Sequence, residues 1–207
     1  MQTITDFEGF EIFISGIHDG DFHDPETSPD IHRSILQVHG TDIHIFTEKK
    51  ENFSTHADGV YTREKGIIIG AQCADCPIII LMWVSECAVI HSGWRGSRLH
   101  IGQKAVMMMT TDQENIRAYI WPHIQRYSYE VQSDFLEYFP SEFFEKKDGK
   151  IFFDIGKYII DDLIAVWLKA QNIIMSPIDT FSNPSYHSYR RDRGSGRGIV
   201  GVRILEN

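Results

Sequence analysis

The stretch CADCPIIILMWVSECAVIHSGWRG, Cys73–Gly96, contains every cysteine of the chain and one histidine, with few charges between them. Two apolar runs, Pro77–Val84 and Ala88–His91, are rich in isoleucine and valine and are separated only by Ser85-Glu86-Cys87. Side chains branched at Cβ suit a pleated strand, and apolar runs without polar alternation suit strands covered on both faces. The stretch predicts two buried strands, with Cys76 just before the first and His91 at the end of the second. A thiol and an imidazole at the margins of such strands raise the question of what they face.

Outward from this pair, Gly66–Gly70 reads as a further buried strand, and Phe10–Ser15, Ser34–Val38, Arg117–Trp121 and Ile199–Leu205 read as strands as well. Gly16–Asp30, rich in Asp, His, Pro and Gly, reads as loop. The period changes to helical over Ser97–Met109, and again over Ile155–Ala170, where Ile155, Ile159, Leu163, Val166 and Trp167 share one face. Ser133–Tyr138 reads as a short helix with Ser133 as its N-cap. Strands and helices mix without a regular βαβ rhythm, which points to an α+β fold, a mixed α/β sandwich. No repeat, low-complexity tract or Pro/Ser-rich linker divides residues 1–207, so a single domain is expected.

The chain has 207 residues, 42% of them hydrophobic and 12% aromatic, which suits a globular protein with a substantial core. A net charge of −9 argues against general nucleic-acid binding, which needs a basic face. It leaves room for a small anion held by a local arginine cluster. The N-terminal MQTITDFEGFEIF has acidic residues where a signal peptide would be basic, and the longest apolar run is too short to cross a bilayer. Three cysteines do not form a paired disulfide framework. The expectation is a cytoplasmic, reduced protein with neither nucleic-acid nor membrane partners.

Most of the ten histidines lie in polar or loop contexts and read as solvated. His39 and His91 differ, because each ends an apolar run and is followed by small residues that would leave space for a cavity. Cys73 and Cys76 form a C-x-x-C, but Pro77 and a strand follow, where a redox pair needs a helix N-terminus. Cys87 alone does not complete a zinc knuckle. A further reading takes Cys76 with His39 and His91, a set that suits zinc and leaves a fourth position open. In SYHSYRRDRGSGRG, Arg190, Arg191, Arg193 and Arg197 suggest either a solvated basic loop or a phosphate grip, with Tyr186 and Tyr189 available to stack on a planar ring. Arg95, between Trp94 and Gly96, is another candidate, and Asp75 is either a general acid or a structural acceptor.

Taken together, QVHG (Gln37–Gly40), ADG (Ala57–Gly59), ADCP (Ala74–Pro77), HSGWRG (His91–Gly96) and SYRRD followed by GR (Ser188–Asp192, Gly196-Arg197) occur in an order that resembles the laccase-domain family. That family is also described as multicopper polyphenol oxidase-like or as purine nucleoside phosphorylases. The resemblance implies that His39, Cys76 and His91 are both metal ligands and the catalytic centre, brought to one end of the sheet by the two strands. It implies Zn(2+), with copper as the alternative metal, and substrate contacts from Arg95, Tyr189, Arg190 and Arg191. It also implies phosphorolysis of adenosine, inosine and methylthioadenosine with an adenosine deaminase side activity, on a fold shared with the cysteine deamidases of cytotoxic necrotizing factor type.

Three other functions are weighed against this one. They are a Cys76/His91 cysteine hydrolase or deamidase, a degenerate non-enzymatic metal-binding member, and a copper polyphenol oxidase, for which one His-His-Cys set offers too few ligands. The chain departs from the family pattern in a shortened N-terminal part without an Arg-Gly-Gly motif, in Trp121 where glycine is usual, and in Ile178–Thr180 where Cys-Thr is common. A shortened wall would leave the metal more open and turnover slow, unless a homodimer partner closes the gap. Trp121 would then block the pocket or stack on a substrate.

Overall fold

A computed structural model describes residues 2–4, 9–19, 31–32, 35–47, 55–194 and 196–206. In chain order its first strands are β1 (Gln2–Ile4), β2 (Phe10–Ile14), β3 (Ile31–His32), β4 (Ile35–Leu36), β5 (Ile43–Phe46), β6 (Thr55–His56), β7 (Gly59–Thr62) and β8 (Ile68–Cys73). Next come β9 (Ile78–Trp83) and β10 (Glu86–His91), helices α1 (Trp94–Arg98) and α2 (Ile101–Met108), and β11 (Arg117–Ile120). The remainder comprises β12 (Glu130–Val131), β13 (Phe144–Lys147), β14 (Lys150–Phe153), α3 (Ile155–Ile164), β15 (Ile173–Met175), α4 (Tyr189–Asp192) and β16 (Gly198–Ile204). The fold is α+β, as the sequence predicts. Most of Gly16–Asp30, read as loop, lies outside the described residues.

Two sheets form the frame, one ordered β1-β2-β16-β8-β3 and the other β15-β11-β9-β10-β7-β5. Alternation along β9 sends Ile78, Ile80 and Met82 between the sheets, against Ile12, Ile69, Val200 and Val202. It sends Ile79 and Leu81 to the opposite face, where Ile101, Val106, Ile159 and Leu163 of α2 and α3 cover them. A strand buried on both sides has no use for polar residues, which explains the continuous apolar run at Ile78–Leu81. Each of these side chains, fully buried, contributes about 1.5–3 kcal/mol.

The helices differ from their sequence reading in ways that have local causes. The pattern over Ser97–Met109 splits because His100 adopts φ 58, leaving α1 and α2 as separate pieces. The His100 ring then bonds Asp162 of α3 at 2.6 Å, tying the two helical segments together. The helix begun at Ile155 stops at Ile164 and not at Ala170. Trp167 takes φ 73, its N–H donates to Ile164 O, and Leu168 N–H donates back to Leu163 O, a Schellman ending. Leu168 consequently enters the core, while Trp167, counted on the apolar face, is 77% exposed. Ser133 is the first residue of a 3-10 turn and makes no capping bond; Gln132 occupies the cap. No helix among the described residues is long and apolar enough to cross a membrane.

The β9–β10 hairpin turns through Val84 and Ser85, and Val84 sits at φ 43 while 67% exposed. A β-branched residue is costly there, and it recovers little of that cost through burial. Val84→Asn is expected to raise stability by about 1 kcal/mol. For a chain of this size, that is a rise of about 2–4 °C in Tm by calorimetry.

Candidate metal centre and cavity

β10 runs antiparallel to β9 with His91 opposite Ile78, so Cys76, two residues before Ile78, arrives at the same end as His91. His39 comes from the turn after β4, with φ 59. The donor atoms of His39, Cys76 and His91 all lie within 4.8 Å of one another. The two imidazoles meet edge to face at a centroid separation of 4.8 Å.

Beneath them lies Asp58, completely buried. Its Oδ1 accepts from His39 N–H at 2.9 Å and from the His91 ring Nδ1 at 2.8 Å. Its Oδ2 accepts from Gly40 N–H at 2.6 Å and Val38 N–H at 3.2 Å. Burial opposes ionisation of this carboxyl, but the bonds from His91 and the backbone hold it below the usual carboxylate range. Burial likewise opposes a charge on His91, yet its bonds to Asp58 and Cys76 win and push its pKa to about 9. His39 is shifted the other way, by burial and then by the neighbouring charge of His91, which favours the neutral imidazole a metal requires. Nothing in the sequence pattern marked Asp58 beyond its place in Ala57–Gly59.

Gly93 closes the floor of this cluster. A Cβ built there would stand 3.1 Å from His39 Nδ1, 3.3 Å from Cys76 Sγ and 3.5 Å from His91 Cε1. Its φ of −61 is open to any residue, so what favours glycine here is space: a methyl group would push the three donor side chains apart by a few tenths of an ångström. Two imidazoles and a thiolate converging over a bare backbone fit a divalent metal of borderline softness. Cys73 stays outside the cluster: burial, then the charge of Cys76, pushes its thiol up to about 12, and it accepts a hydrogen bond from the Trp121 indole. Cys87 is fully buried in the intersheet core.

The cluster opens onto a cavity of about 710 Å³, which Tyr189 and Arg197 also line. Of the residues expected to touch substrate, Tyr189 is therefore on its wall, whereas Arg95, Arg190 and Arg191 are not among the lining residues. Arg191 donates to the carbonyls of Thr180, Phe181, Asn183 and Tyr186 and pairs with Asp192, so its guanidinium is committed to holding its own loop. Arg190 donates to Glu130 O at 2.7 Å and lies over the Tyr129 ring. Arg95 stacks on Trp94, with its guanidinium 4.3 Å from the ring centre.

Asp75, at φ 82, accepts from Thr180 Oγ1 and from Arg190 N–H, both at 2.7 Å, which makes it a structural acceptor. Trp121 neither blocks nor lines the cavity. It is buried between Tyr119 and Tyr186.

Residues 26–204 match the multi-copper polyphenol oxidoreductase laccase family. The chain belongs to this family. A purine nucleoside phosphorylase of Aquifex aeolicus is 31% identical over 171 residues, covering 82% of this chain and 81% of its own. An adenosine deaminase from an unknown prokaryotic organism is 31% identical over 160 residues, 70% of this chain and 61% of its own. The crystal structure of the Bacillus licheniformis hypothetical protein YfiH superposes with a TM-score of 0.83 over 99% of this chain and 96% of that one. At 20% identity, this last likeness speaks for the fold alone. The family inferred from the five motifs is thus the one to which the chain belongs.

The ligand set is tested by metal analysis of protein purified without chelator. Cys76→Ala and Gly93→Ala are each expected to lose the metal, while Cys73→Ala retains it. Gly93→Ala should keep the far-UV circular dichroism of the parent, since its backbone conformation is ordinary. Equal metal loss in Cys73→Ala would mean that the ligands are assigned wrongly.

Proposed function

We propose that the chain is a zinc-dependent purine nucleoside phosphorylase with adenosine deaminase side activity, acting at His39, Cys76 and His91. The observation that carries this reading is the convergence of those three donors on the wall of a cavity of about 710 Å³ that Tyr189 and Arg197 also line. That volume lies within the range of about 300–1,000 Å³ usual for small-molecule sites. The names of the Aquifex aeolicus and prokaryotic relatives support nucleosides as the substrate class.

When bound, zinc supplies a Lewis acid that stabilises negative charge at this end of the cavity. The chain's own residues do the rest. His39 and His91 offer imidazole nitrogens and Cys76 a thiolate, three donors that leave one position open. The Tyr189 ring, half exposed and on the cavity wall, stacks on the flat purine. The Arg197 guanidinium, whose Nη1 donates to Gly196 O at 2.9 Å, brings a fixed positive charge to the cavity wall for phosphate oxygens. In phosphorolysis, phosphate oxygen forms a bond to C1′ as the bond from C1′ to the purine nitrogen breaks, and the purine leaves with the electron pair. The substrate contacts expected of Arg190 and Arg191 pass in this reading to Arg197, with Arg95 outside the cavity wall.

A second reading has one observation in its favour: Cys76 bonds to His91, which in turn bonds to Asp58, the order of a nucleophile, base and orienting acid. Metal content separates the two, because a ligating thiolate is not free to attack. A copper oxidase remains the less favoured alternative, since the one three-donor set among the described residues serves a single metal, and a member without activity would give metal but no turnover.

The test is phosphate-dependent release of purine base from adenosine and inosine, with zinc measured on the same preparation. Arg197→Ala is expected to raise the KM for phosphate about tenfold or more, the loss of one charge-assisted bond, with zinc content unchanged. Arg191→Ala should lower Tm through loss of its loop bonds. Zinc-replete protein with no nucleoside turnover would refute the proposal.

A further inference from the structure

We propose that Asp58 is a positioning residue whose single carboxylate sets both histidines of the metal centre at once. The inference rests on the reading of His39, Cys76 and His91 as ligands and adds a device by which two separate parts of the chain are held to one geometry.

The carboxylate is itself rigidly placed. Asp58 N–H donates to Asp42 O at 2.9 Å, and Asp58 O accepts from His91 N–H at 2.7 Å. The next residue, Gly59, has no room for a side chain, since a Cβ there would come within 2.6 Å of Ile90 Cδ1. Asp58 is thereby pinned through its backbone to the His39 turn on one side and to β10 on the other, before its side chain makes any contact.

Each oxygen then has a distinct task. The N–H groups of Val38, His39 and Gly40 all point at the carboxylate. Three successive backbone donors around one anion form a nest, and the anion makes that curvature favourable. His39 needs such support, because φ 59 is unfavourable for a residue with a side chain. At the same time Oδ1 accepts from His91 Nδ1. A carboxylate has no proton to offer here, so Nδ1 must carry the proton of this bond, which leaves Nε2 as the nitrogen available to a metal.

An asparagine in this place has one acceptor oxygen and an NH₂ group. Whichever way it turns, it sets N–H against N–H on one side or the other. Asp58→Asn should therefore damage the His39 turn or the His91 tautomer while changing the shape of the core very little.

Three measurements test this. In the zinc-loaded parent, long-range proton–nitrogen NMR of His91 should show Nδ1 protonated and Nε2 bound to metal; the reverse assignment would overturn the proposal without any variant having to fold. In Asp58→Asn, chelator competition should show zinc bound about 10–100-fold more weakly. In the metal-free proteins, amide exchange at Val38, His39 and Gly40 should rise in Asp58→Asn by more than it does at the amides of β9 and β10, with Tm lowered by the buried N–H groups left without an acceptor. Zinc affinity within a factor of two of the parent, or unchanged protection of those amides, would refute the positioning role. A parent that binds no zinc would count against the ligand reading instead, and the exchange measurement would still decide whether Asp58 shapes the turn.

Discussion

The register between β9 and β10 is the constraint on which the rest of the molecule depends. Both strands are covered on both faces, by the second sheet on one side and by α2 and α3 on the other. Sliding one strand by a single residue would exchange every side chain between two differently shaped layers, so the pairing has one low-energy solution. That solution sets His91 opposite Ile78 and brings Cys76 alongside it. The candidate metal centre is thus positioned by hydrophobic packing several residues away, and its own polar bonds only refine the placement. At the other end of the hairpin, buried Glu86 accepts from Tyr61 Oη at 2.6 Å and from Thr110 N–H at 3.0 Å, so both ends of the paired strands are fastened by a carboxylate.

The parts of this fold that were legible in the sequence are those in which local pattern and burial agree. β9, β10, β11 and β16 are apolar runs with clear stops, and each lies within a residue or two of where it was read. β5 and β7 escaped notice: β7 is the short Gly-Val-Tyr-Thr, wholly buried yet without alternation, and β5 is Ile-His-Ile-Phe, where a histidine interrupts the run. The helix endings were misjudged because left-handed residues at His100 and Trp167 carry large side chains, whereas the usual signal for such a stop is glycine. His123, grouped with solvated histidines because of its loop setting, is buried, and its ring donates to Trp121 O at 2.7 Å. Among the site residues, His39, Cys76 and His91 stood out through their motifs. Asp58 did not, because an aspartate before glycine is also the commonest sign of a turn.

The basic segment near the C-terminus shows why charge alone is a poor guide to binding. Arg191 and Arg197 lie six positions apart in one glycine-rich run and looked equivalent in the sequence. In the fold, Arg191 ties down the carbonyls of 180–186, and Asp75 fixes the same segment through Thr180 and Arg190 N–H. The segment is therefore anchored on the Cys76 turn itself, since Asp75 directly precedes that ligand. Tyr189, at the start of α4, and Arg197, just before β16, thus reach the cavity from a segment braced against the turn that carries Cys76.

The breadth of the cavity has a chemical consequence. At about 710 Å³ it has room for a nucleoside with water still beside it. A closed active site restricts the reacting electrophile to one acceptor, whereas an unfilled one lets phosphate and water compete for the same carbon. On the proposed reading the split between sugar phosphate and free sugar is then not a fixed property of the chain. It follows the phosphate concentration around it, and the branching of its products reports on how full the cavity is.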